Sequence, residues 1–296
     1  MRRLFLLAFI WGWSFLFIKV AVRGMTPSTV ACARVGLGAT VLLVVVRARG
    51  LALPRGWAWW RHFVVVGAAG SAVPFTLLAW GEQHVSSGLT AVLNASTPFF
   101  AALMAWVLLG DRLARVQVGG LVVGFVGVAV ASGAGFSELA GSSLLGEGAA
   151  VLAGAGYGLS FAYARRHLMT LPPMVAAAGQ LVVATFLLLP LAVVTTVRQG
   201  LALDGRRVLA VCLLGVFGTG IAYLLSYRLI ADVGPTRAAV VTYLIPVVAV
   251  TVGVLFLGEP FSFRIVLGGL LTVAGIVLLN LGNRRPTGAV QPTYNP

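Results

Sequence analysis

Two stretches decide how this chain folds: LTAVLNASTPFFAALMAWVLLGDRL (89–113) and RAAVVTYLIPVVAVTVGVLFLGEPF (237–261). Each contains an apolar run long enough to cross about 30 Å of hydrocarbon at about 1.5 Å of rise per helical residue. Each carries a proline at the same place, Pro98 and Pro246, and each closes on leucine, glycine and an acid, Leu109–Gly110–Asp111 and Leu257–Gly258–Glu259. The offset is 148 positions (246 − 98), and the same offset aligns Gly67 with Gly215, Gly70 with Gly218, Ala91 with Ala239 and Ala101 with Ala249. It also brings Gly120 and Gly127 onto Gly268 and Gly275. An offset of 146 (173 − 27) aligns Gly12, Ser14, Phe15 and Pro27 with Gly158, Ser160, Phe161 and Pro173. Apolar composition alone does not hold proline, glycine and an acid in one ungapped register. The chain is an internal repeat.

The composition excludes an ordinary soluble domain: 59% of the 296 residues are hydrophobic and 9% are charged, against about 25% charged in a typical soluble domain. The seven acids, Glu82, Asp111, Glu138, Glu147, Asp204, Asp232 and Glu259, all fall in or beside breaks between apolar runs. Ten runs result, at about 3–22, 27–46, 62–80, 87–109, 117–134, 147–164, 173–196, 208–229, 234–257 and 264–282. The breaks hold helix stops and turn formers: Gly24, Pro54, Gly88, Gly110, Gly141, Pro172, Gly200, Gly234, Pro235, Gly258 and Pro260. Hydrocarbon offers no partner to a free backbone group, so runs of this length are helices. The expected fold is an all-α membrane protein with ten transmembrane helices, arranged as two inverted five-helix repeats around a central cavity. Residues 1–136 form the first repeat, 145–283 the second and 284–296 a cytoplasmic tail. Five is odd, so the second copy enters the membrane upside down, an arrangement common in secondary transporters.

Charge sets the orientation. With the N-terminus inside, thirteen basic residues fall on the inner side and six on the outer, while Arg34 and Arg237 lie within spans. The inner excess places both termini in the cytoplasm of a plasma (inner) membrane protein. The net charge of +14 is therefore an insertion signal; the basic clusters form no stripe interleaved with exposed aromatics, and no nucleic-acid partner is expected. Leu4 to Val22 is too long for a signal-peptide core and has no small-residue cleavage site after it. Cys32 and Cys212 lie far apart with no metal spacing and read as packing residues. Trp57, Trp59 and Trp60 at one end of the third span and Trp80 at the other mark the two interfaces.

Five plus five spans, with WGWSFLFIKV (11–20) early in the first, Pro27 before the second, Arg34 within it, and the endings LLGDRL (108–113) and FLGEPF (256–261), resemble the drug/metabolite transporter superfamily, EamA branch. The likeness covers the chain up to about 283. It implies a ten-helix carrier whose central cavity is lined chiefly by the third, fourth, eighth and ninth helices. Members of the family mostly export amino acids and related metabolites.

The candidate site residues follow from what is polar at depth. Arg34 lies about 10 Å into its span on helix rise, where an arginine faces a cavity or a partner; it is expected to receive a substrate carboxylate or hold a gate. Its repeat mate is Gln180. Asn94 and Thr97 precede Pro98, while Thr242 and Tyr243 precede Pro246; proline frees a carbonyl, so both prolines read as kinks or gating points. All seven tryptophans lie in the first half and all six tyrosines in the second, with Trp11 aligned on Tyr157 and Phe75 on Tyr223. A pocket between the repeats then has one apolar aromatic wall and one bearing hydroxyls, to which Ser14, Ser160, Thr219 and Ser226 add. Gly120, Gly124 and Gly127 match Gly268, Thr272 and Gly275 as small faces for packing inside the monomer, with a homodimer possible but not required. Asp111 and Glu259 read as caps of the segments that follow them.

No GxxxxGK[ST] loop is present and Lys19 is the only lysine, so no P-loop powers the chain. His62, His84 and His167 look too scattered for a metal, and no cofactor or catalytic residue is expected. The first helix offers Ser14 and no acid, so proton antiport through a first-helix carboxylate has no support. The sequence therefore reads as a secondary transporter exporting amino acids or related metabolites by alternating access. Its alternatives are broad drug efflux, uniport of another organic solute and, from a different class, a membrane-embedded lipid-modifying enzyme.

Overall fold

The computed structural model describes residues 2–133, 142–233, 238 and 240–281. Of the described residues 84% are helical and none lies in a strand. The helices are α1 (Arg2–Ala21), α2 (Pro27–Ala48), α3 (Trp57–Gly67), α4 (Val73–Gly81), α5 (Ser87–Asn94), α6 (Thr97–Leu109), α7 (Arg115–Ser132) and α8 (Ser142–His167). They continue with α9 (Pro173–Gln199), α10 (Gly205–Gly215), α11 (Ala222–Val233), α12 (Val241–Leu257) and α13 (Phe263–Leu281). Nine described helical segments are long and apolar enough to span a bilayer, and α12 is a shorter apolar helix of 17 residues. The protein is a multi-pass membrane protein.

Three features depart from uninterrupted spans. The third span starts at Trp57, not near 62, so its tryptophans form the first turn of α3. It then passes through a π-helical turn, Ala68–Ala72, before continuing as α4. The eighth span does the same at Val216–Ile221, between α10 and α11. The two π turns begin 148 positions apart (216 − 68), at the same place in the repeat register. The fourth span breaks at Ala95 and Ser96, so that Pro98 opens α6 near its N-terminus, where a missing N–H costs nothing. Pro246, by contrast, sits inside a continuous α12. The approach to α12, with Gly234, Pro235, Arg237 and Ala239, lies outside the described residues, as do Glu138, Gly141, Arg284, Arg285 and the 284–296 tail.

Helices of the two halves interleave. The α2 helix packs along α9, α7 along α13, α1 against α12, and α8 against both α4 and α6. One buried cluster accordingly mixes Ala31, Val35 and Leu42 of α2 with Ala178, Leu181 and Leu188 of α9. Hydroxyls reinforce this pair at one end: Thr26 to Thr195 at 2.9 Å, Ser28 to Thr195 at 2.7 Å and Thr29 to Thr196 at 2.7 Å. Neither half closes a core of its own.

The glycine faces of α7 and α13 meet each other. A Cβ on Gly120 would stand 2.7 Å from the Gly275 carbonyl oxygen, and one on Gly127 would stand 2.7 Å from the Gly268 carbonyl oxygen. The stripes therefore pack backbone against backbone within one chain. Outside, Val126, Phe186, Leu189, Val193, Leu255 and Leu270 are exposed large apolar side chains, as a lipid-facing surface requires.

The terminal acids do not cap the segments that follow them. Asp111 pairs with Arg165 at 2.7 Å, fastening the end of α6 to α8. Glu259 reaches the start of α5, accepting from the Ser87 amide at 2.7 Å, the Ser87 hydroxyl at 2.9 Å and the Gly88 amide at 3.3 Å. An anion at a helix N-terminus meets unsatisfied N–H groups there. The acid caps a helix of the opposite half.

Candidate functional site

Arg34 gathers the site. Thr26 caps α2 by accepting from the Thr29 amide, and Pro27 opens its first turn, so the helix delivers Arg34 two turns in, against the eighth span. Arg34 is only 7% exposed. Its Nε donates to Thr219 Oγ1 at 2.9 Å, and its Cζ lies 3.8 Å from the centroid of the Phe75 ring. A cation over an aromatic face in a dry setting is attracted by about 2 kcal/mol. Arginine here faces the protein interior, away from lipid headgroups.

The π turn is what presents Thr219. Widening the helix by one residue leaves carbonyls without their usual amide partners. Thr219 Oγ1 donates to the Leu214 carbonyl five residues back, at 3.2 Å, and accepts from Arg34 with a lone pair. Tyr157 from α8 and Tyr223 from α11 lie close enough to interact electrostatically with the guanidinium. The Phe75 and Tyr157 rings stand edge to face at 6.1 Å. Five of the residues expected from sequence thus meet around one cation: Arg34, Phe75, Tyr157, Thr219 and Tyr223. Their helices come from both halves.

The opposite half carries a neutral counterpart. Gln180, aligned with Arg34, donates from Nε2 to Ser71 Oγ at 2.9 Å and to the Gly70 carbonyl at 3.3 Å. Ser71 is aligned with Thr219 (219 − 148) and lies in the other π turn. Ser71 also stands at the Tyr223 hydroxyl, which links the two poles. Ser14 and Ser160 are matched as well. Ser14 donates to the Ile10 carbonyl at 3.0 Å and Ser160 to the Val66 carbonyl at 3.4 Å. Each sits against a π-turn glycine: a Cβ on Gly218 would lie 2.7 Å from Ser14 Oγ, and one on Gly70 would lie 2.8 Å from Ser160 Cβ. Ser71 is not among the residues expected from sequence, although its register with Thr219 is a usable signal.

Other expected residues lie apart from this cluster. Trp11 packs with Leu4, Leu7, Ala222 and Val241 between α1, α11 and α12. Thr97 Oγ1 donates back to the Asn94 carbonyl at 2.8 Å across the α5–α6 break. At the same break Asn94 Oδ1 and the fully buried Ser96 hydroxyl have no hydrogen-bond partner among the described residues. The Tyr243 hydroxyl accepts from Asn280, tying α12 to α13, and Thr242 is its neighbour on α12. A groove of about 420 Å³ opens between Val22–Thr26, Gln83 and Gln199–Ala202; it touches none of the Arg34 cluster.

Two groupings were not legible beforehand. His62 and His167, read as scattered, stack at 4.7 Å between ring centroids, with Tyr163 on His62 Nδ1 at 3.0 Å. No group of three or more His, Cys, Asp or Glu that could hold a metal occurs among the described residues. The second is Glu82, read as a break residue at a span end; it is fully buried.

The EamA-like transporter family model matches twice, over residues 3–133 and 144–281. An uncharacterized transporter of Archaeoglobus fulgidus is 27% identical over 273 residues, covering 91% of this chain and 94% of that protein. A probable terminal-alkyne amino-acid exporter of Streptantibioticus cattleyicolor is 28% identical over 289 residues, covering 93% and 92%. The uncharacterized transporter YvbV of Bacillus subtilis is 25% identical, covering 97% and 94%. One crystal structure of a protein at 21% identity superposes with a TM-score of 0.67 over 95% of this chain and 96% of that one, so the fold is shared. The family and the names of these relatives indicate membrane transporters and not enzymes. With both halves matching one model, the chain belongs to the EamA-like transporter family.

Proposed function

We propose that this transporter exports amino acids or related small metabolites across the plasma membrane by alternating access, with both termini in the cytoplasm. The observation that carries the reading is Arg34: one permanent cation, buried between the halves, held among the described residues by the neutral Thr219 hydroxyl and an aromatic face. A carboxylate is a stronger acceptor for a guanidinium than a threonine oxygen, and it binds with two parallel bonds where the threonine offers one. An arriving carboxylate therefore displaces Thr219, which keeps its bond to Leu214. Phe75, Tyr157 and Tyr223 then face the rest of the solute, which suits an amphipathic amino acid with a sizeable side chain.

Alternation rests on reading the halves as inverted copies. The shared offset of the two π turns, the Arg34–Thr219 and Gln180–Ser71 pairs and the exchanged serine–glycine contacts support it. Copies with equivalent contacts and unequal side chains have two conformations of similar energy, one opening to each side. The amino-acid exporter named among the relatives supports the substrate class. The test is counterflow in proteoliposomes loaded with a panel of unlabelled amino acids, phenylalanine and leucine included, and diluted into the labelled solute. Stimulated uptake of at least one carboxylate solute is expected. Absence of counterflow across the panel, with protein shown to be inserted, overturns the proposal.

A further inference from the structure

Glu82 is not used by the site just described, and it is chemically out of place. It follows α4 directly and is 0% exposed, yet neither carboxyl oxygen has a hydrogen-bond partner among the described residues. A buried carboxylate without partners is costly by several kcal/mol, and such a group escapes the cost by taking up a proton.

The surrounding charges are already engaged. Lys19 of α1 donates from Nζ to the Glu82 main-chain carbonyl and, at 2.8 Å, to that of Val85, so it grips the turn and not the acid. Arg34 of α2 donates to Thr219 and covers Phe75. Glu259, after α12, is bonded to Ser87 and Gly88. In the turn itself, the His84 ring is hydrogen-bonded to the Trp80 carbonyl at 2.9 Å. Gln83 donates to Val22, beside Arg23, at 3.4 Å. On the α8 side Gly81 touches Gly146, the neighbour of Glu147: a Cβ on Gly81 would stand 2.9 Å from the Gly146 carbonyl oxygen. Burial drives the Glu82 carboxyl well above the ordinary carboxylate range; Lys19 opposes this, Glu259 adds to it and Arg34 opposes it.

We propose that Glu82 is a proton-binding site coupled to the transport cycle, protonated when the turn at 82–86 is closed over it and deprotonated when that turn opens to water. The inference rests on the transport reading. The step is simple: the closed form holds one proton on a neutral carboxyl, and opening returns water to the oxygens, restores an ordinary acidity and releases that proton to solvent. The sign follows by linkage. As pH rises above the ordinary carboxylate range the open form loses its proton first, so higher pH favours opening until the closed form also ionises. Neutralising Glu82 also removes an anion within electrostatic reach of Arg34, so the proton and the solute carboxylate influence each other. The fold thereby places a coupling acid at the end of the third span. The sequence pattern had supported none in the first helix.

Two measurements test this. Infrared titration of the purified protein needs no solute: a protonated-carboxyl carbonyl band should persist above the ordinary carboxylate range in the wild type and vanish in Glu82→Gln. In proteoliposomes with labelled phenylalanine, an imposed pH gradient should drive accumulation by the wild type. Glu82→Gln should keep counterflow at equal pH and lose the gradient response completely, a separation that a merely structural role would not produce. A band that survives in Glu82→Gln overturns the proposal, as does a gradient response equal to that of the wild type. If Glu82→Gln fails to fold, the same band is sought in Glu82→Asp, where it should shift; an unshifted band overturns it. Should the wild type move no phenylalanine, the transport reading fails on its own while the infrared band still decides the state of Glu82.

Discussion

Replacing Arg34 by alanine separates a functional cation from a structural one, because the two effects have opposite signs. An arginine at mid-span opposes membrane insertion by about 2.5–3.5 kcal/mol, so Arg34→Ala should insert at least as well as the wild type. Inside the fold the variant loses the Nε–Thr219 bond, but Thr219 keeps its donation to Leu214 and no buried donor is stranded. The attraction to Phe75, about 2 kcal/mol, is lost as well; set against easier insertion, the net change in folded amount should be small. Transport should suffer much more. A hydrogen bond to a charged group contributes about 1.5–3 kcal/mol, which is roughly ten- to hundredfold in the apparent affinity for a carboxylate solute. Arg34→Lys, which keeps the charge but loses the paired N–H geometry, should fall between. The assay is counterflow normalised to inserted protein, with the amount of folded protein read in parallel by size-exclusion of a fluorescent fusion. Counterflow within twofold of the wild type, or a loss that tracks folded protein one for one, would refute the reasoning.

Three further outcomes are expected. Gly127→Ala places a Cβ against the backbone of α13 and should destabilise by about 1–3 kcal/mol. Gly119→Ala, on the same helix with nothing within 4 Å, should be neutral or slightly stabilising; equal melting temperatures for the two variants would contradict the backbone contact. Glu259→Ala removes three hydrogen bonds from the start of α5 and should lower stability by about 0.5–2 kcal/mol, measured by thermal unfolding in detergent. Asp111→Asn breaks the pair with Arg165, but both side chains are about half exposed, so a loss above about 1 kcal/mol would contradict a surface pair.

Much of this was readable in the residues. Hydropathy and breakers marked the spans, because a bilayer penalises every unpaired backbone group, and the repeat register marked equivalent positions before any contact was known. Arg34, Phe75, Tyr157, Thr219 and Tyr223 were each named for polarity or aromatic character at depth, and the fold brings them together. What sequence did not show depends on tertiary contact. The π turns have no local signature; they are recognised once Ser71 and Thr219 receive Gln180 and Arg34 from the opposite half. The burial of Glu82 is created by α1 and α8 closing on a turn whose own composition looks solvated. Trp57 and its neighbours look like interfacial residues outside a helix because the pattern cannot distinguish a belt from a first turn. Glu259 looks like a local cap because its partner lies 172 positions away.

The two π turns mean that the third and eighth spans each hold one residue more than a regular helix of the same height. At 3.6 residues per turn that surplus residue rotates everything beyond it by about 100°. Without it, Phe75 and the approach to Glu82 in one half, and Tyr223 in the other, would face a different neighbour altogether. These spans should therefore not tolerate the removal of a single residue between 68 and 72 or between 216 and 221. The number of residues in each turn is therefore as necessary to the site as the hydroxyls of Ser71 and Thr219 that the turns carry.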